Sequence, residues 1–176
     1  TTPWTLPANV AVAVGEEFVY AKCRAEKDGK VEDLWIAKDL AEQILKYGKY
    51  QKFDIIETKT GAELAGTKHL SPLSTQVPMQ AGIEHKVVIA DYVALENTGM
   101  VHIAPGHGWD DYLVGQKYGL PIICPVDGNG NFTAEAGIFE GKYVKDPSTN
   151  DEVIKELGDY MLAVRKITHR YGLCWR

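Results

Sequence analysis

The sequence has few of the features that define several large classes of protein. Its three cysteines, at positions 23, 124 and 174, lie far apart, which argues against a disulfide framework and against a CxxC metal knuckle. No apolar run approaches the roughly 18 residues that a membrane-spanning helix needs, and no signal-peptide pattern is present. We therefore expect a cytoplasmic domain that has no membrane partner.

Several catalytic motifs are also missing. The three serines, at positions 71, 74 and 148, lie outside any G-x-S-x-G elbow. There is no H-E-x-x-H, P-loop or G-x-G-x-x-G pattern. We therefore expect no metal site and no cofactor, whereas a cysteine nucleophile remains open because its partner base must be found in space.

Positive charge is not in excess. The chain has 19 Lys and Arg against 24 Asp and Glu, a net charge of −5. This balance excludes a broad phosphate-binding surface but allows a local contact with nucleic acid. The 176 residues are 45% hydrophobic and 24% charged, which is typical of one globular domain.

The spacing of apolar residues predicts a β-rich α/β domain with a partly closed, barrel-like β core and peripheral helices. Residues 10–14 and 18–23 are predicted to form two antiparallel strands joined by a short turn, and residues 61–82 an irregular segment. Further strands are predicted over 33–37, 53–58, 86–93, 99–104 and 122–126, and helices over 38–47, 110–118 and 148 to about 166.

Residues 101–112 form the segment most typical of a site, because a buried-looking strand runs through a Gly-flanked loop into a helix. Asp111 lies in the first turn of that helix, where a carboxylate stays ionised and can anchor a cation such as an amino group. Alternatively, this carboxylate only accepts from the free N–H groups of the helix N-terminus and interacts with the helix dipole. His102 lies on the strand. Its imidazole could form a pocket wall, transfer a proton, or be a core histidine with satisfied nitrogens. His107 and the loop glycines could belong to a tight turn alone.

The opening Thr1-Thr2-Pro3-Trp4-Thr5 is the second candidate. Its hydroxyls can hold a water or a ribose oxygen, and its indole ring can stack on a base. An ordinary edge strand is the alternative interpretation.

Together these segments resemble the CP1 (connective peptide 1) editing domain of the isoleucyl-tRNA synthetases, which are class I aminoacyl-tRNA synthetases. Residues 1–9 are similar to T-T-T-P-W-T-L-P-x-N, residues 98–112 to G-T-G-x-V-H-x-A-P-x-H-G-x-D-D-Y, and residues 169–176 to H-x-Y-P-x-C-W-R. Pro3-Trp4-Thr5 differs from the Arg-Pro of the valyl and leucyl relatives. The first threonine of the triplet has no counterpart, and Asn97 and Gly172 replace a glycine and a proline of the motifs.

The resemblance implies an editing activity, the hydrolysis of misacylated valyl-tRNA(Ile), and leaves open whether valyl-adenylate is also hydrolysed. It implies that Asp111 anchors the α-amino group of the valyl moiety and that His102 excludes the extra carbon of isoleucine. Gly106 and His107 would line the substrate pocket. A held water would attack the ester with help from the neighbouring ribose hydroxyl, without a metal.

The resemblance also implies how the adenosine end is bound. Thr1 and Thr2 would position the terminal adenosine or the attacking water, with Thr5 beside them. Trp4 and Tyr171 would flank the adenine.

The implied partners are the 3′-terminal aminoacyl-adenosine of tRNA(Ile) and the remainder of the parent synthetase, which binds ATP. Residues 1–176 would be one domain excised from that longer chain. Aminoacylation by this segment is excluded, because neither H-I-G-H nor K-M-S-K-S occurs. Two alternatives remain: an editing domain of valyl or leucyl specificity, and a non-catalytic module that positions the tRNA 3′ end.

Overall fold

A computed structural model describes residues 2–165. Its strands are β1 (Ala11–Val14), β2 (Val19–Lys27), β3 (Lys30–Ala37), β4 (Lys52–Thr60), β5 (Lys86–Ile89) and β6 (Met100–Ile103). Its α-helices are α1 (Ala41–Tyr47), α2 (Gly61–Leu64), α3 (Trp109–Tyr118) and α4 (Pro147–Leu157). Short 3₁₀ helices span Pro3–Ala8, Lys38–Leu40, Pro78–Gly82, Ala134–Phe139 and Gly158–Tyr160. The predicted α/β class is confirmed.

The first sheet has the strand order β5-β1-β6, with β1 parallel to β5 and antiparallel to β6. The predicted pairing of residues 10–14 with 18–23 is therefore wrong. Three of the four residues of β1 are fully buried, and a short strand of Ala and Val suits the centre of a sheet better than one arm of a hairpin.

The second sheet is antiparallel and has β2 at its centre, in the order β3-β2-β4. The turn between β2 and β3 contains Asp28 at φ 50° and Gly29 at φ 76°, the positive φ pair of a type I′ hairpin. The Tyr20 hydroxyl connects the two sheets, since it accepts from Gly15 N–H at 3.0 Å and donates to the Gly99 carbonyl at 2.7 Å. Over residues 2–165 the two sheets stay separate and do not close into a barrel.

Several predicted elements have different bounds, and one is not formed. The predicted strand over 86–93 ends at Ile89. The predicted strand over 122–126 is absent from the described residues apart from a single bridge between Val126 and Phe132, because Pro121 and Pro125 lack the N–H groups that a strand needs. The last helix begins at Pro147 with Asp146 as its cap and ends before Gly158, whose φ is 53°.

The 3₁₀ helix Pro3–Ala8 replaces the edge strand that was the alternative for the opening segment. Pro3 stands in its first turn and Pro7 lies inside it, and the fixed φ of proline suits a 3₁₀ helix. Among residues 2–165, no helix has the length and apolar character to cross a membrane.

The packing of α3 against the first sheet determines where the candidate site lies. Val114 of α3 belongs to one apolar cluster with Val10, Ala13, Val88 and Ile103. The helix ends at Gly119, whose φ is 63°, as the sequence predicts. The first turn of α3 therefore lies beside the end of β6.

Candidate functional site

Strand pairing brings the two motifs together at His102. The β1–β6 register sets Val12 opposite His102, and the chain that precedes β1 passes along the imidazole ring. Thr5 Oγ1 lies 2.9 Å from His102 Nε2, and Asn9 Nδ2 lies 3.1 Å from His102 Nδ1. Both ring nitrogens therefore have partners from the opening segment.

These contacts define the protonation of His102. The buried Asn9 amide also donates to the Ala11 carbonyl at 2.8 Å, so its Nδ2 is a donor and His102 Nδ1 must accept. The proton then lies on Nε2, which donates to Thr5 Oγ1. The Thr5 hydroxyl in turn donates to the Thr2 carbonyl at 2.8 Å.

His102 is neutral at neutral pH. Desolvation lowers the pKa of His102 to about 4, against the opposing effect of the Asp111 charge. A ring that is neutral and bonded at both nitrogens is held in one orientation. Of the three roles open from the sequence, this arrangement argues against a proton carrier and fits either a fixed pocket wall or a core histidine with satisfied nitrogens.

Asp111 is held by two donors at the end of β6. Its Oδ2 accepts from Ala104 N–H at 2.9 Å, and its Oδ1 accepts from the Tyr92 hydroxyl at 2.7 Å. Burial, together with the hydrogen bond to Asp111, raises the pKa of Tyr92. Each carboxylate oxygen keeps a further lone pair. Asp111 could therefore accept a hydrogen bond from an ammonium group and keep both of these bonds.

An open cleft of about 460 Å³ lies at the loop that precedes α3. The loop before α3 and the first turn of that helix form its lining, namely Pro105, Gly106, His107, Gly108, Trp109 and Tyr112. A Cβ atom on Gly106 would lie 2.0 Å from the Ile123 carbonyl oxygen, so this position requires glycine.

Trp4 reaches the same loop from the opening segment. Its ring meets the His107 ring edge to face, with the centroids 4.9 Å apart, and its backbone N–H donates to Asn150 Oδ1 at 3.1 Å. His107 Nε2 is buried without a hydrogen-bond partner among the described residues. Desolvation lowers the pKa of His107.

The predicted site residues thus form two adjoining groups, one around His102 and one around His107. Thr2 is exposed and contributes its carbonyl to the first group. Trp4, which contacts His107, is adjacent in the chain to Thr5, which contacts His102, so the groups adjoin. Thr1 and Tyr171 lie outside the described residues.

Sequence reasoning gave no role to Asn9 or Tyr92. Asn9 stands in the opening motif, which was a signal for it. Tyr92 lies in the segment between β5 and β6 and has no such signal. Within residues 2–165, no group of three or more His, Cys, Asp or Glu side chains could hold a metal ion.

Comparison with known proteins gives a consistent result. No family model matches the chain. It is 84% identical over all 176 residues to an isoleucine–tRNA ligase of Methanocorpusculum labreanum, and 64% identical to that of Methanoregula boonei. It is 51% identical over 178 aligned residues to that of Archaeoglobus fulgidus. The chain spans only 16 to 17% of the length of these relatives.

The fold has a counterpart in a solved structure. The crystal structure of GlLeuRS-CP1 superposes with a TM-score of 0.61, covering 88% of this chain and 78% of the other. Sequence identity is 17%, so this likeness concerns the fold.

Proposed function

From the premise that this chain is a segment of an isoleucine–tRNA ligase with a CP1 fold, we propose that it removes valine from misacylated tRNA(Ile). The observation that carries the proposal is the arrangement at the end of β6, where Thr5 contacts His102 and, two residues further on, Ala104 N–H donates to Asp111. In this proposal, the remainder of the parent synthetase carries out aminoacylation, binds ATP and binds the rest of the tRNA.

Asp111 anchors the substrate by its charge. The α-amino group of an aminoacyl ester is cationic, and the Asp111 carboxylate is already oriented by Ala104 N–H and the Tyr92 hydroxyl. A preoriented carboxylate binds an ammonium group without first losing side-chain freedom. The valyl moiety is therefore fixed by its amino end.

His102 sets the size of the substrate. Its ring is held by Thr5 and Asn9, so the ring cannot turn aside for a larger side chain. Valine fits against this wall, and the extra carbon of isoleucine does not. The cognate ester is thereby spared by steric exclusion.

Hydrolysis proceeds by attack of water on the ester carbonyl carbon. A new carbon–oxygen bond to water forms, the ester bond to the ribose oxygen breaks, and a proton passes to that oxygen with help from the neighbouring ribose hydroxyl. Thr2, together with Thr1, positions the water or the adenosine, and Trp4 borders the adenine with Tyr171. Because His102 is neutral and fully bonded, it orients groups rather than taking the proton.

The net charge of −5 fits this division of labour. The segment holds only the last nucleotide, so it needs no broad cationic surface. The 176-residue chain alone should bind tRNA weakly, and a nanomolar affinity at physiological salt would contradict the proposal.

Incubation of the chain with valyl-tRNA(Ile) and isoleucyl-tRNA(Ile) tests the function, with ester loss as the readout. We expect selective loss of the valyl ester. Asp111→Ala should abolish it, whereas Asp110→Ala, which removes the adjacent exposed carboxylate, should not. His102→Ala should extend hydrolysis to the isoleucyl ester.

Three outcomes would contradict the proposal. No loss of either ester would indicate a module that only positions the tRNA 3′ end. Preference for a valyl-tRNA synthetase or leucyl-tRNA synthetase editing substrate would indicate the other specificity. Sparing of the isoleucyl ester by His102→Ala would refute the steric role of His102.

A further inference from the structure

A stacked aromatic pair lies on α3 at the outer side of the cleft. The Trp109 and Tyr112 rings have centroids 5.7 Å apart and an interplanar angle of 22°. Trp109 is 72% exposed, and neither ring belongs to an apolar cluster of the described core. Packing within residues 2–165 therefore does not account for this pair.

The pair faces a different part of the substrate from Asp111. Two residues along an α-helix are separated by about 200° around its axis, so Trp109 and Asp111 lie on nearly opposite sides of α3. The Asp111 carboxylate is directed to Ala104 and Tyr92. Trp109 and Tyr112 line the cleft together with His107, whereas Asp111 is not among its lining residues.

The local charge favours a base over a phosphate. Both charged residues in the first turn of α3, Asp110 and Asp111, are acidic, and carboxylates repel a phosphate group. Aromatic rings bind bases by stacking, which is independent of a positive field and tolerant of sequence.

We infer that Trp109 and Tyr112 form a stacking subsite for the base of the nucleotide that precedes the terminal adenosine of tRNA. This inference rests on the proposed function, because the subsite is continuous with the proposed pocket for that adenosine. The subsite adds affinity for a second nucleotide without any cationic contact.

Two non-hydrolysable probes test the inference, one a valyl-amide analogue of adenosine and the other of the cytidylyl-adenosine dinucleotide. Their binding to the 176-residue chain is measured by calorimetry at physiological salt. The dinucleotide probe should bind roughly 5- to 150-fold more tightly than the mononucleotide probe, the range of one base stack. Trp109→Ala should bring the ratio to about one and leave the mononucleotide affinity unchanged.

Two further variants complete the test. Trp109→Phe keeps a stacking ring, so it should retain part of the preference for the dinucleotide probe over the mononucleotide probe. Leu113→Ala removes a 46% exposed apolar side chain from the same helix outside the cleft lining and should retain all of it. Circular dichroism confirms that each variant is folded.

The results separate this inference from the proposed function. If the mononucleotide probe binds but the dinucleotide adds nothing, or if the ratio survives Trp109→Ala, the subsite is refuted and the function stands. If Trp109→Ala lowers the affinity for both probes equally, the terminal adenosine itself stacks on Trp109 and Tyr112, and the inference is also overturned. If neither probe binds, the proposed function fails and the subsite with it.

Discussion

The neutral state of His102 should make the stability of the fold depend on pH in a way that one substitution removes. Desolvation lowers the pKa of His102 from 6.5 to about 4, so the folded chain resists a proton that the unfolded chain accepts. The stabilising effect is present above pH 6.5 and is lost as the pH falls towards 4. His102→Gln removes the ionisable group and should flatten this part of the profile.

The magnitude follows from the two pKa values. A pKa of about 4 in place of 6.5, at 1.36 kcal/mol for each pH unit, corresponds to about 3 kcal/mol. Because His102 keeps some exposure to solvent, this value is an upper bound. The free energy of unfolding of the wild type should therefore fall by up to about 3 kcal/mol more than that of His102→Gln between pH 7 and pH 4.

Urea denaturation of both chains at half-unit intervals from pH 4 to pH 8 measures the effect. Burial also lowers the pKa of His69 and of His107, but both side chains are present in the two proteins and cancel in the difference. The wild-type curve should fall more steeply than the variant curve between pH 6.5 and pH 4. Parallel curves over the whole range would refute the buried, neutral state of His102.

Two more predictions concern the surroundings of the site. Gly106→Ala sets a Cβ against the Ile123 carbonyl at 2.0 Å and should lower the free energy of unfolding by about 1–3 kcal/mol, as thermal melting would detect. Gly128→Ala, where a Cβ meets nothing within 4 Å, is its control, and equal melting temperatures would contradict the clash. Tyr92→Phe removes one donor to Asp111 and should lower kcat/KM for valyl-tRNA deacylation about fivefold, since water replaces part of the bond at this partly exposed ring. An unchanged kcat/KM would show that Asp111 does not need this donor.

Local signals in the sequence predicted the local parts of the fold. The predicted helix over 110–118 corresponds to α3, and the predicted strand over 99–104 corresponds to β6. Neither required knowledge of a distant residue. The predicted strand over 122–126 is wrong because Pro121 precedes it and Pro125 lies within it, and their missing N–H groups prevent a ladder.

The partners of β1 could not be predicted in the same way. An alternation of Ala and Val suits any neighbour, and the strands that pair with β1 start at Lys86 and Met100, about 75 to 90 residues further along the chain. Chain proximity favoured residues 18–23, and the β1 prediction failed for that reason.

The candidate site shows the same division. The sequence pointed to His102 and Asp111, but the contacts of His102 with Asn9 and of Asp111 with Tyr92 could be found only in the folded structure. The roles of Thr1 and Tyr171, the extent of one domain over 1–176, the cytoplasmic location and the absence of a cofactor stay predictions.

The order of strands has a consequence for how the site is made. The β3-β2-β4 sheet pairs residues that are at most 41 positions apart, such as Val19 with Thr60. The β5-β1-β6 sheet must close loops of about 75 residues or more, which raises contact order and slows assembly. The contact between Thr5 and His102 depends on the second of these sheets. Recovery of that contact during refolding therefore reports completion of the β5-β1-β6 sheet, and recovery of the site should follow the formation of the β3-β2-β4 sheet.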